Sequence, residues 1–333
     1  MKKIVTFGEV MARLCPPDGT RIGQTDRLQM TFGGAEANVA VSLACMGLPA
    51  SYVTKLPDNA LTQAFCGQMR ALNVDVGDIA LGGERMGMYF VEKAISIRPA
   101  SIIYDRKHSS ISAIQPGDID WEKAFEGTGW FHWSGITPAL SPEAAAEQER
   151  ACRIAKEMGL TVSCDINYRP ALWTAEEAGK AMAPLMKYVD VLIANESEPD
   201  LVLGVAAKPE QIVDGRMTHE GYAEMARGLC SRFGIKKCGF AIREGGEQGR
   251  YIWSGLVYSG DTGRWYISEK YDLQIVDRIG GGDAFGAGLI AALNLGMDDA
   301  RAVRYAAAAS ALKHTFEGDF NRATRQDVEK LLH

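Results

Sequence analysis

A chain of 333 residues, 47% of them hydrophobic, can bury a large core, which suits one large domain or two smaller ones. Its formal net charge of -6, with basic residues scattered rather than clustered, leaves no electrostatic footprint for nucleic acid, and no run of about 18 apolar residues is present to span a membrane. The seven cysteines contain no Cys-x-x-Cys pair and read as small buried side chains of a protein in a reducing, cytoplasmic compartment.

The first element, "KIVTFGEV", is a strand rather than the core of a signal peptide, because Gly8 and Glu9 interrupt its apolar run. Residues 11–32 show no helical period. "FGGAEANVAVSLACMG" (32–47) then places two glycines ahead of a helix whose Ala40, Val41 and Ala44 suit a packed face. After the strand "ASYVTKL", residues 86–106 read as two alternating strands joined around "RPAS". Further strands follow at "WFHWSG", "LTVSCDIN", "VDVLIAN" and "CGFAIRE", with helices over 142–158 and 220–233 between them, and a hairpin over 250–258 and 264–276. This alternation predicts an α/β fold, a mostly parallel sheet with helices on both faces and ligands at the carboxyl ends of the strands. Residues 11–32 and 86–106 form a small β layer suited to be a lid or an edge extension; 1–10, 33–85 and 107–333 form the core.

The last segment, "VDRIGGGDAFGAGLIAAL" (276–293), runs three glycines into a helical pattern that Gly296 can stop. Gly280, Gly281 and Gly282 can turn backbone N–H groups inward at a helix start, an arrangement that cradles an anion such as phosphate. Asp283 is either a helix cap or a base that takes a proton from a hydroxyl attacking a bound phosphoryl group. No G-x-x-x-x-G-K-[ST] occurs, and the G-x-G-x-x-A match at Gly286, Gly288 and Ala291 lies inside the helix rather than opening it, so neither a Walker loop nor a dinucleotide fingerprint is indicated.

"DRIGGGD" resembles the signature of the PfkB (ribokinase-like) carbohydrate kinases, usually Asp-Thr-x-Gly-Ala-Gly-Asp, with Arg278 and Gly281 departing from the common Thr and Ala. "FGGAEANVAVSLACMG" resembles the family's N-terminal Gly-Gly motif, and the likeness extends over essentially the whole chain, including "ANESE" and "ALKHTFEGDFN". The resemblance implies a three-layer α/β/α core with a β lid. In it Asp283 is the general base and the N–H groups of Gly280 to Asp283 form an anion hole; Gly34 and Asn38 face the sugar. It further implies ATP and magnesium, the metal held through Asn195 and Glu198 largely by way of water and phosphates, although the same two residues suit an ordinary helix start. Asn167, Gly245, Gly246 and Gly249 fall near the nucleotide, Ala307 and Asn321 fall in segments that line the adenine pocket, and a potassium site near the Asp277 loop and the Phe316–Asn321 turn is implied as well.

For the substrate, "CDINYRPALW" delivers Arg169 to the carboxyl edge of the sheet, and Arg106 in "YDRK" of the lid supplies a second guanidinium. Two arginines converging on one site favour an acidic sugar, while either alone also suits a surface ion pair. "GEVMARL", "SGIT" and "DINYRPALW" resemble those family members that act on 2-keto-3-deoxygluconate. In them, positions matching Gly34, Tyr89, Tyr104, Arg106, Ile136, Arg169, Asp283 and Asp319 surround the acid, and phosphate goes to its terminal hydroxyl; Asp105 departs from their pattern. 5-dehydro-2-deoxygluconate is the alternative substrate, and a catalytically silent sugar-binding protein the alternative of a different class. Exposed apolar faces on the lid predict a homodimer.

Overall fold

The computed structural model describes residues 1–245 and 250–332. Gly246 and Gly249, two of the expected nucleotide contacts, lie outside the described residues. The main sheet has ten strands among the described residues. From Lys237–Gly245 through Val191–Ala194, Thr161–Asp165, Thr128–Ser134, Lys3–Phe7 and Ala50–Val53 to Val74–Asp75 every pairing is parallel. Arg250–Ser259, Arg264–Ile267 and Tyr271–Gln274 add an antiparallel edge.

Both faces of this sheet are covered, and the strand period of two divides the core accordingly. Ile4, Val191 and Ile193 join an apolar cluster with Phe285, Leu289 and Tyr305, while Val5, Phe7 and Leu192 join a second with Trp121, Trp133 and Met182. The helix Gly281–Asn294 lies on the first side against Asp299–Lys313. Gly288, part of the apparent dinucleotide match, serves that contact: a methyl there would stand 2.8 Å from the Ala306 Cα.

A separate four-stranded sheet, in the order Gln29–Gly33, Met11–Cys15, Gly87–Glu92, Ser101–Asp105, takes up the two segments that interrupt the α/β rhythm. Its hairpin joint spans 93–100, longer than "RPAS", with one bridge between Ile95 and Arg98. Met11, Tyr89 and Val91 pack there with Ile102 and with Ile279 of the glycine segment, so the small sheet touches the loop ahead of Asp283.

Two expected strands are divided. "ASYVTKL" leaves the main sheet after Val53, and Lys55–Leu56 pairs with Ala80–Leu81 instead. The run 264–276 breaks at Ser268, whose hydroxyl accepts from the Gly255 N–H at 2.9 Å and donates to the Glu269 carbonyl at 2.8 Å. A side chain that competes for ladder hydrogen bonds ends the strand there.

Glu36, in the helix Ala35–Cys45, is fully buried, and neither carboxyl oxygen has a hydrogen-bond partner among the described residues. Burial pushes its carboxyl up to about 7 from an ordinary 4.5. A folded-state value above the unfolded one gives stability that is full below the unfolded value and lost as pH rises through about 7. Glu36→Gln is therefore more stable to unfolding than the wild type at pH 8, by on the order of 3 kcal/mol, and melts higher there, while the two converge towards pH 5 when thermal unfolding is followed across that range.

Candidate active site

The carboxyl ends of the parallel strands meet the small sheet and the start of the helix Gly281–Asn294 around a cavity of about 400 Å³. Open parallel sheets place ligands at this edge. Asp165 ends its strand, Asn195 follows Val191–Ala194, Ile136 follows Thr128–Ser134, and all three line the cavity.

Gly280 caps the helix in the left-handed region, φ 84°, and a methyl there would stand 2.3 Å from the Asp319 carbonyl oxygen. Only glycine meets both constraints cheaply. The helix begins at Gly281, and its first-turn N–H groups have no intrahelical acceptor, so Gly280, Gly281, Gly282 and Asp283 present an anion-binding end to the cavity. His314 accounts for glycine at 281: an alanine methyl would lie 2.6 Å from its ring. The ring cannot retreat, because Nδ1–H donates to the Ser310 carbonyl at 2.7 Å and the ring packs 4.5 Å from Trp253. Burial lowers His314 to about 4, so its cavity-side nitrogen is uncharged near neutrality.

Asp283 sits at the cavity, where its Oδ2 accepts from Asn38 Nδ2 at 2.6 Å. That bond joins the glycine motifs of the two chain ends. Burial raises the Asp283 carboxyl to about 6, against the opposing effects of Asn38 and of the Arg169 charge. A group poised there is ionised at neutral pH yet basic enough to accept a proton. The turn at Gly33 and Gly34 is tight for steric reasons: a methyl on Gly34 would stand 2.0 Å from the Glu9 carbonyl oxygen, and one on Gly33 2.1 Å from Asp319 Oδ2.

A second acidic group lies beside it. Burial and then the Glu198 and Asp283 charges hold Asp165 well above the usual carboxylate range, and burial raises Glu198. Glu198 accepts from the Asn195 and Tyr168 N–H groups, each at 2.9 Å, and Asn195 Oδ1 accepts from the Ser197 and Glu198 N–H groups. Asn167, in the left-handed region at φ 42°, turns with its N–H on Asp165 Oδ1, and its own Oδ1 is buried without a partner. This collection of oxygens and negative charge fits a hard divalent cation. No cluster of three or more His, Cys, Asp or Glu ligands closes around one point among the described residues.

The sugar-side residues differ in how much of each side chain is free. Tyr104 stacks 6.0 Å from Tyr89 and carries the Arg106 guanidinium 5.4 Å from its ring centre. Arg106 lines the cavity but donates to buried Glu9, which also accepts from the Ser109 hydroxyl, so its fork is already partly engaged. Both oxygens of Asp319 are engaged, by Arg13 at 2.7 Å and by the Tyr89 hydroxyl at 2.6 Å. Arg169 is exposed on the same cavity, its guanidinium without a hydrogen bond or ion pair among the described residues. Asp105 turns away from the cavity to Arg85 at 2.8 Å.

Gly245, Ala307 and Asn321 do not line the cavity. Ala307 is fully buried in its helix, and the Asn321 amide is spent internally, donating to the Ala309 carbonyl and accepting from the Ala323 N–H. Asp165, Arg243, Trp253 and His314, none of them expected from the sequence, also line the cavity. Asp165 had a visible signal, an acid at a strand's carboxyl end; His314 had none, since its place depends on a helix packing under the glycines.

The model of the pfkB family carbohydrate kinases matches residues 1–322. The chain belongs to this family. As a pfkB carbohydrate kinase it is 47% identical to 2-dehydro-3-deoxygluconokinase of Thermotoga maritima, whose crystal structure it matches with a TM-score of 0.94 over 99% of this chain and 98% of that one. It is 32% identical to 2-dehydro-3-deoxygalactonokinase of Haloferax volcanii, over 99% of this chain and 96% of the relative. It is also 28% identical to 2-dehydro-3-deoxygluconokinase of Thermoproteus tenax, over 100% and 94%. The ribokinase-like fold, with its mostly parallel sheet and small lid sheet, is that of the family, and the chain is a carbohydrate kinase. No helix among the described residues is long and apolar enough to cross a membrane.

Proposed function

We propose that this kinase transfers the γ-phosphoryl group of ATP to the terminal C6 hydroxyl of 2-keto-3-deoxygluconate, giving the 6-phosphate and ADP. The observation that carries the acidic substrate is Arg169, an exposed guanidinium without an ion-pair partner among the described residues, on the cavity that holds Asp283. It is free to clasp a carboxylate through two parallel hydrogen bonds. The names of the Thermotoga and Thermoproteus relatives support the same substrate class; that of the Haloferax relative supports the galactonate epimer as a co-substrate.

Asn38 holds the Asp283 carboxylate for the sugar hydroxyl. Asp283 takes the hydroxyl proton as the oxygen forms its bond to phosphorus and the bond to the ADP oxygen breaks. The N–H groups of Gly280 to Asp283 stabilise charge on the phosphoryl oxygens in transit, a contribution worth about 3–4 kcal/mol per preorganised donor. Asn195, Glu198 and Asp165 would hold magnesium through water and phosphate, which supplies charge neutralisation at the phosphates. Gly34, Tyr89, Tyr104, Arg106 and Ile136 shape the sugar side of the cavity, and Asp319 positions Tyr89. Asn167 borders the phosphates, Gly245 leads into the nucleotide loop with Gly246 and Gly249, and Ala307 and Asn321 shape the adenine pocket from beneath its surface. The small sheet, residues 11–32 and 86–106, is the lid, and its exposed Met30, Ile97 and Ile103 form the contact of a dimer.

Near-neutral turnover on the keto-deoxy acid, weaker turnover on 5-dehydro-2-deoxygluconate and none on fructose or ribose is the expected result of an ADP-release assay across those sugars. Sugar binding without ADP release on any of them would leave a silent binding protein. Arg169→Met raises KM for the acid about 10- to 100-fold, the loss of a charged hydrogen-bonded pair. Asp283→Asn still binds sugar by calorimetry but turns nothing over, and wild-type kcat/KM falls on its acid side below about pH 6, where Asp283 gains its proton. Sedimentation velocity gives a dimer that Ile103→Glu, at the centre of the edge strand Ser101–Asp105, converts to monomer.

A further inference from the structure

The residues that tie the glycine loop to the rest of the molecule do not fit a potassium ion in the place where the family likeness puts one. Between the Asp277 loop and the Phe316–Asn321 turn lies the side chain of Lys313, fully buried at the end of the helix Asp299–Lys313. Its Nζ donates to the backbone carbonyl of Asp277 at 3.2 Å and approaches that of Phe316 at 3.5 Å. Backbone carbonyls converging from two loops are the coordination that a dehydrated monovalent cation requires. Here an ammonium reaches them.

Charge and acceptor capacity both disfavour a further cation. Asp277 Oδ2 accepts from Arg13 Nη2 at 2.6 Å and from the Gly318 N–H at 3.2 Å, and Oδ1 accepts from the Ile279 N–H at 3.1 Å. Asp319 is engaged by Arg13 and Tyr89. Two carboxylates, Asp277 and Asp319, thus face two cations, Arg13 and Lys313, all of them buried. A potassium ion would add a third positive charge to a matched set in a desolvated site. Burial lowers the Lys313 amine, while Asp277 and Asp319 favour its charged form.

We infer that Lys313 is a cation built into the chain, standing where potassium would otherwise join the Asp277 loop to the Phe316–Asn321 turn, and that this kinase needs no monovalent metal ion. The tether also reaches the chemistry. A methyl on Gly280 would stand 3.3 Å from Lys313 Cε, so the lysine stem runs beneath the first glycine of the anion-binding turn. Lys313 is a positioning residue in this role: it holds the loop from behind and touches neither the sugar nor the nucleotide.

The test compares potassium, sodium and tetramethylammonium chlorides at equal ionic strength, reading both melting temperature, which needs no substrate, and ATP-dependent turnover. It stands apart from the choice of sugar, because a wrong substrate abolishes turnover in every salt and leaves melting informative. Wild type is expected to melt at one temperature in all three salts and to keep kcat/KM within about twofold, far less than the factor of ten that corresponds to 1.4 kcal/mol. A potassium-specific rise in wild-type melting temperature or turnover overturns the inference, whatever becomes of any variant. Lys313→Met, and Lys313→Gln should the first not fold, lose turnover in tetramethylammonium and recover part of it in potassium. Potassium also raises their melting temperature by about 2–4 °C, the response of a chain of this size to a newly bound ligand. A folded variant indifferent to potassium in both readouts also overturns it.

Discussion

The structure depends on one buried ionic knot. Arg13, on a strand of the small sheet, grips Asp277 at 2.6 Å and Asp319 at 2.7 Å, and Tyr89 on a neighbouring strand completes Asp319. Asp277 opens the glycine loop, and Asp319 belongs to the turn whose carbonyl fills the space beside Gly280. One guanidinium therefore fixes the lid relative to the anion-binding helix start. Burying such charges costs several kcal/mol per ion, and removing one partner leaves the others unpaired. The knot contributes specificity of arrangement more than net stability, which is what a site assembled from two sheets requires.

The knot also explains the division of labour among the acids. Those with every oxygen engaged, Asp277 and Asp319, hold loops. Asp283, set at the cavity with only one oxygen held by Asn38 and its carboxyl raised to about 6, is available to a proton. Neighbouring carboxylates thereby acquire different chemistry from burial and partners alone.

Much of this was legible in the chain. Three glycines before a helical pattern announced the anion-binding turn, the likeness of "NESE" to the family's Asn-x-x-Glu pointed to Asn195 and Glu198, and Arg169 followed from a strand expected to end near Asn167, which the structure ends at Asp165. These signals are local, carried by residues a few positions apart. The knot was not legible, because Arg13 stands 264 and 306 residues from Asp277 and Asp319 and nothing near it in the chain pairs it with either. Glu36 was hidden for a related reason: a glutamate in the first turn of a helix normally faces water, and only the packing of Ala35–Cys45 between the main sheet and the helix Gly281–Asn294 buries it. Ala307 and Asn321 lie in plausible segments, yet helix phase and an internal hydrogen bond turn them from the cavity. The divided strand at Ser268 shows the same limit, since a hydroxyl's preference for the backbone emerges only when the opposing strand is in place.

The pairing of Gly281 with His314 bears on how this sequence can drift. The ring occupies the volume an alanine at 281 would need, and its own hydrogen bond and the Trp253 face keep it there. Restoring the common alanine therefore carries a penalty that depends on the residue at 314, while shrinking 314 first leaves a void beside the glycines. Each substitution is harmful alone and tolerable in the other's company, a case of sign epistasis written into a single van der Waals contact.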